Sequence, residues 1–553
     1  MLMAPRRPIS TISLLFLVLL LLLLLFSSLS SSPLVVADDY LQAECFNVPS
    51  SDFIASVKST IDVVRKVTSL VSKFANALYD FRLSTAINDC VDLLDFSADE
   101  LSLTLSASQN PSTEKDSSTG NRVSDMRTWL SAALGNQDTC MEGFQGTSSF
   151  VEGIVGGSLG QVTSLVSDLL AMLRPHDTHF HGTTTEKKKK KKMKSSGPAG
   201  RKLLVVPAEG DNGGFPAWVK TGERRLLQQQ PSLGVSDADV VVAADGSGNY
   251  TRVMHAIEAA PDNSTRRYVI YVKKGVYREN VDIKKKKWNL MIIGDGMDLT
   301  VISGNRSYVD GWTTFRTATF AVSGRGFIAR DLTFENTAGP QKHQAVALRS
   351  DSDLSVFFRC GIRGYQDTLY AHSLRQFYRE CHITGTVDFI FGNGAVVFQN
   401  CQILAKKALP DQKNSITAQG RKDPGQNTGF SIQFSNISAD SDLLAAGVNS
   451  TLTYLGRPWK LYSRTVFMQS YISSVVRPEG WLEWQGNFAL DTLFYGEYRN
   501  YGPGAALGVR VKWPGFRAIN DSTQASNFTV AQFIDGNMWL PSTGVKYTAG
   551  LTT

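Results

Sequence analysis

The sequence predicts an all-β parallel β-helix over residues 228–553, preceded by an all-α antiparallel four-helix bundle over 38–182. Three observations carry this reading. After Val235 the chain breaks into short β-rich runs punctuated by Gly, Asn and Asp, with helical spacing confined to Val253–Ala260. Landmarks in that half recur at a near-constant interval: Cys360 to Cys381 is 21 residues, Cys381 to Cys401 is 20, Asp367 to Asp388 is 21 and Gln344 to Gln366 is 22. Three short strands per such period describe a chain that winds, each coil stacking on the last at roughly 4.8 Å. Before Leu173, by contrast, apolar residues recur every three to four positions.

In chain order, Arg6-Arg7 precede an unbroken apolar run of thirteen, Leu14–Phe26, which ends in serines. It is too short for the roughly 20 residues of a bilayer span. It reads as a signal peptide over 1–37, with Val35-Val36-Ala37 offering small residues for cleavage before Asp38. No later segment reads as apolar enough to span. The helical half shows Val57, Ile61, Val64, Val67 and Leu70-Val71, then Leu93-Leu94, Leu101 and Leu105, then Val162, Leu165-Val166 and Leu169-Leu170. It holds no catalytic cluster and reads as a folding or docking domain.

Residues 183–227 form a basic linker. Lys187–Lys192 and Lys194 place seven lysines in eight positions. They account for the formal charge of +7; without them the chain is nearly balanced, so charge gives no nucleic-acid face. The tetrads Arg201-Lys202-Leu203-Leu204 and Arg224-Arg225-Leu226-Leu227 are dibasic sites in a polar stretch and invite a processing protease. His176, His179 and His181 have no Cys or carboxylate to complete a shell, so no metal is expected. With 42% hydrophobic residues and ordinary Gly 46 and Pro 19, the 553-residue chain is neither disordered nor collagen-like. In an oxidising compartment some of the six cysteines should pair; they fall into two groups of three, Cys45, Cys90, Cys140 and Cys360, Cys381, Cys401. Seven glycosylation sequons, at Asn249, Asn263, Asn305, Asn436, Asn449, Asn520 and Asn527, agree with secretion.

The period produces chemistry in the second half. One coil apart, the carboxylates of Asp367 and Asp388 are expected to be neighbours. Two such charges resist joint ionisation, so one pKa rises and the other stays low. The amides of Gln344 and Gln366 share a ladder and can face a developing oxyanion. Arg457 can hold one aspartate ionised. Tyr370, Phe391, Trp459 and Trp481 crowd the same segments. Taken singly, each has a plainer reading: a polar ladder for the Asp pair, an amide ladder for the glutamines, a surface ion pair for Arg457, core packing for the tryptophans.

At these residues the sequence resembles the plant pectin methylesterases. The matching segments are Gly275-Val276-Tyr277-Arg278-Glu279, Gln344-Ala345-Val346-Ala347-Leu348, Gly364-Tyr365-Gln366-Asp367-Thr368-Leu369, Asp388-Phe389-Ile390-Phe391-Gly392 and Leu455-Gly456-Arg457-Pro458-Trp459. The resemblance implies a right-handed parallel β-helix, no cofactor, and methyl-esterified pectin as substrate. It implies Asp388 as nucleophile, Asp367 as acid and then base, Gln344 and Gln366 as oxyanion donors, and Arg457 as the group that orients Asp388. Thr314, Tyr370, Phe391, Trp459 and Trp481 would contact substrate. The helical half resembles the inhibitor-type domain that precedes the longer members. There Cys90 and Cys140 match a disulfide; Cys360 and Cys381 are further candidates. The family's small N-terminal hairpin disulfide has no counterpart, because Cys45 lacks a partner in the eight residues that follow. The lysine run Lys284–Lys287 offers a basic patch for a polyanion.

The expectation is therefore a secreted, monomeric cell-wall esterase made as an inhibited precursor, with inhibitor proteins as further partners. A β-helical depolymerase and a non-catalytic inhibitor acting through the helical half are the competing readings. No nucleic acid, and no membrane after signal cleavage, is expected.

Overall fold

The computed structural model describes residues 50–74, 80–109, 119–147, 149–173 and 238–552. The leader, the linker with its lysine run and tetrads, His176, His179, His181 and Cys45 lie outside the described residues.

Four helices form the first half: α1 (Ser51–Ser72), α2 (Phe81–Gln109), α3 (Arg122–Gly143) and α4 (Ser149–Met172). Ser50 caps α1 by accepting the Phe53 N–H at 3.2 Å. Each helix packs on the next and α1 on α4, which closes a four-helix bundle. The Cys90–Cys140 disulfide ties α2 to α3. One expectation needs correction. Phe150–Met172 is long and apolar enough to cross a membrane by length and composition. Here it is a bundle helix, with Val151, Val155, Leu159, Val162, Val166 and Leu169 buried along one stripe.

The second half winds through three sheets of eleven, eight and seven strands, with every pairing parallel. One coil runs from Ile328–Arg330 in the first sheet to Thr333–Asn336 in the second and Leu348–Ser350 in the third. The bend after the first sheet recurs as a single left-handed residue per coil: Asp331, Arg359, Glu380, Asn400, Phe434 and Gln469. Inside, stacked rings continue from coil to coil, Phe357 on Tyr378 at 4.7 Å and Tyr378 on Phe398 at 4.8 Å. Such ladders bury large apolar areas while fixing register.

The cysteine candidates of this half are corrected. Cys360, Cys381 and Cys401 are free and buried. Each is the first inward residue after the bend of its own coil, so their Cβ bonds run parallel, one above another. A disulfide needs Cβ vectors that converge.

The bundle rests on the outer face of the seven-stranded sheet. Ala321, Val346, Tyr370, Phe391 and Ala418 from that side share one apolar cluster with Leu130, Leu134 and Phe144 of the helical half. Lys284–Lys287 is not a free basic patch. Lys284 pairs with Asp282, Lys287 with Asp262, and Lys285 reaches across to Asp95 and Asp99 on α2 at 2.6 and 2.5 Å.

Candidate active site

The seven-stranded sheet positions the site. Leu369 pairs with Ile390, so Asp367 and Asp388 occupy equivalent places on adjacent coils, each two residues before its strand. Both take left-handed backbone, φ 61° and 50°, which aspartate tolerates better than most residues. Because of that turn the strand after Asp388 starts only at Ile390. Gly392 closes it, with φ 126°; a Cβ there would lie 2.1 Å from the Ala371 carbonyl oxygen.

Arg457, at the end of Thr453–Gly456, grips Asp388 with both prongs: Nε donates to Oδ1 at 2.8 Å and a terminal nitrogen to Oδ2 at 2.7 Å. A bidentate, charge-assisted pair of this kind fixes the carboxylate in plane. Asp367 has no such partner. Burial, then the Asp388 charge, push its carboxyl well above the usual range against the pull of Arg457; Glu142 on α3 adds to the rise. The two carboxyls thus differ in surroundings: Asp388 is gripped by arginine, and Asp367 is raised by burial beside it.

The Ala345 N–H donates to the Gln366 carbonyl at 3.2 Å, joining the coils that carry Gln344 and Gln366. Both residues are partly exposed. Tyr370 stacks on Phe391 at 4.1 Å, and Phe391 meets Trp459 edge-on at 5.8 Å, so three expected rings line one groove. Thr314 opens a short 3-10 turn and is half-buried; its neighbours Thr313 and Arg316 are engaged by Asp89 of α2.

Trp481 is a correction. It is 1% exposed, stacked on Tyr495 at 4.1 Å, with its indole N–H on Glu497 at 3.2 Å. It belongs to the solenoid core. Three residues on, the half-buried Trp484 takes the groove position, its ring 4.4 Å from the Arg457 guanidinium carbon. Both tryptophans lie in one short loop, and sequence alone carries no signal to choose between them.

Helix α3 roofs the groove. The Thr139 hydroxyl lies 3.2 Å from the Tyr370 hydroxyl and 2.9 Å from His372 Nε2. Burial lowers the His372 pKa to about 3, so the ring is neutral. Asp125 meets Arg375 at 2.5 Å, Asp138 meets Lys422 at 2.6 Å and Glu142 meets Lys460 at 2.7 Å. Burial costs the Glu142 carboxylate more than Lys460 returns and lifts it to about 7, while the pairing raises Lys460. Under this roof Asp367 and Asp388 are only 8% and 7% exposed. Among the described residues no group of three His, Cys, Asp or Glu is placed to hold a metal.

Fold and site together define a class: a parallel β-helix whose aromatic groove holds two neighbouring aspartates, one clamped by arginine. Comparison with known proteins gives the family. A family model described as Pectinesterase matches residues 239–537, and one described as Plant invertase/pectin methylesterase inhibitor matches 26–172. A pectinesterase/pectinesterase inhibitor of Prunus persica is 64% identical over 99% of both chains. A probable pectinesterase/pectinesterase inhibitor of Arabidopsis thaliana is 60% identical, covering 94% of this chain and 97% of the relative. The solved pectin methylesterase from carrot is 57% identical, covers 58% of this chain and 100% of its own, and superposes with a TM-score of 0.57. The chain belongs to the pectinesterase family, and its second half has that family's right-handed parallel β-helix.

Proposed function

We propose that the β-helix hydrolyses methyl esters of homogalacturonan, releasing methanol and leaving pectate. The observation that carries this reading is the bidentate Arg457–Asp388 clamp one coil from an aspartate whose pKa is raised. Asp388 attacks the ester carbonyl carbon, and the Gln344 and Gln366 amides donate to the oxygen that becomes negative. The carbon–methoxy bond breaks, the Asp367 proton passes to the departing oxygen, and methanol leaves a mixed anhydride on Asp388. Water then gives a proton to Asp367, attacks the anhydride carbonyl and frees both carboxylates. Tyr370, Phe391, Trp459 and Trp484 present ring faces to the apolar faces of the sugars. A depolymerase is not favoured, since the relatives bear the pectinesterase name and the arginine clamp suits a nucleophile.

The helical half acts as an inhibitor-like roof in a precursor secreted to the cell wall. Proteolysis in the linker, best at Arg224–Leu227, then opens the groove of a monomeric enzyme. The test is methanol release from methylated pectin by residues 228–553. Asp388→Asn should lower kcat by about a thousandfold or more while leaving the circular dichroism spectrum intact. If the variant kept most of the rate, Asp388 would not be the nucleophile.

A further inference from the structure

The contact between roof and groove is a row of acids meeting a row of bases, and its pairs differ in what the bases keep when the helices leave. Arg375 keeps Asp353, and Arg316 keeps Asp282, whatever the helices do. Lys422 and Lys460 form ion pairs only with helical carboxylates among the described residues, Asp138 and Glu142. These two acids stand four residues apart on α3, hence on one face and about 6 Å apart along the axis.

Both lysines belong to the groove. Lys460 follows Trp459 directly, its ammonium 5.1 Å from that ring. The turn carrying Lys422 is packed on the same indole, since a Cβ on Gly420 would lie 2.7 Å from Trp459 Cε3. Trp459 in turn meets Phe391, in the strand that follows Asp388. The Glu142 charge is felt at Asp367 itself. When the roof leaves, two ammonium groups lose their counterions beside a run of sugar-binding rings.

We propose that Lys422 and Lys460 form an anion subsite for unesterified galacturonate carboxylates, which Asp138 and Glu142 occupy in the precursor. This rests on the esterase reading above. The product of one turnover is a carboxylate, so a subsite of this chemistry favours stretches of polymer that already carry free acids. Fully methylated chains gain nothing from it.

The test uses residues 228–553, because the carrot enzyme's whole solved chain aligns with this half alone. Lys422→Ala/Lys460→Ala should raise KM on partly de-esterified pectin about fivefold, as two half-exposed ion pairs warrant, with kcat held. KM on highly methylated pectin should not move. Arginine at both positions should restore affinity. Lys285→Ala, which also loses helical partners but lies on a coil far from Trp459 in sequence, serves as the control and should leave both KM values unchanged. Equal KM changes on both pectins, or none, would overturn the subsite. If the wild-type fragment released no methanol from either pectin, the esterase reading would fail instead. Calorimetry with an unesterified oligogalacturonate would then still decide the subsite: weaker binding by the double variant supports it, and equal binding overturns it.

Discussion

Helices α1 and α3 are both 22 residues long, yet the chain treats them differently. α1 buries seven residues, six of them apolar, along one stripe and gives the rest to solvent. α3 buries fourteen, among them Asp125, Thr128, Ser131 and Thr139, each bonded to the β-helix. One dry stripe is what a bundle asks of a helix. Burial on every side means a second neighbour, and buried polar groups mean that the neighbour supplies hydrogen bonds. For α3 that neighbour is the groove. The difference teaches that the polar face of α3 covers the aspartate groove, while Asp89, Asp92, Asp95 and Asp99 of α2 reach the β-helix beside it.

The largest break in this contrast should come from Asp125→Ala. Asp125 is fully buried, pairs with Arg375 and accepts from the Thr119 N–H and hydroxyl at 2.9 Å each. Removing it leaves three donors facing an apolar wall and costs about 3 kcal/mol, with Asp353 still neutralising the arginine. The expected outcome is a lower urea midpoint for the helical half and methanol release by the full chain that approaches the rate of residues 228–553. A full chain as silent as the wild type would place the inhibitory contact elsewhere.

The same contrast explains what was legible in the sequence. The stripe of α1 and the spacing of α4 are written in their apolar residues. α3 has no such rhythm, because it is dry on all faces. The Asp367–Asp388 pair was legible because their 21-residue interval equals one undisturbed coil. Arg457 could not be placed that way: from Ile390 to Thr417 to Gly456 the register steps are 27 and 39 residues, lengthened by loops. Its chemistry marked the arginine as a group able to hold an aspartate, and only the resemblance tied it to Asp388. Cysteine counting failed at Cys360 and Cys381 because a solenoid stacks like residues without converging them. Trp481 failed because Glu497 satisfies its N–H inside the core, leaving Trp484 for the groove.

Glu100 on α2 sharpens the comparison through pH. Its Oε2 is sealed from solvent with no hydrogen-bond partner. Burial pushes its pKa well above the usual range, and Asp353, Asp99 and Asp351 push the same way, with Arg325 opposing. Asp351 and Asp353 belong to the β-helix, so docking creates much of the shift. The docked state therefore keeps a proton that the free helix releases. Docking is strongest below the free carboxyl value, about 4.3, and weakens as pH rises toward the docked value. Asp89 and Glu142, raised by burial in the same contact, act with the same sign. The full chain's rate relative to residues 228–553 should rise from pH 5 to pH 7. Glu100→Gln, neutral at both, should flatten that rise without removing it. A ratio that fell with pH would contradict the assignment.

The smallest effect belongs to α1's outer face. Lys66 is exposed, between Val64 and Val67 on the buried stripe, and touches neither the bundle core nor the β-helix. Lys66→Ala exchanges one good helix former for a slightly better one, so stability should move by no more than about 0.5 kcal/mol. Methanol release by the full chain should stay as low as in the wild type. The value of so quiet a substitution is as a reference for Asp125→Ala. If both variants unmasked the enzyme alike, the rate would be reporting the bundle's general stability. If only Asp125→Ala does, the rate reports the face of α3 that lies on the groove.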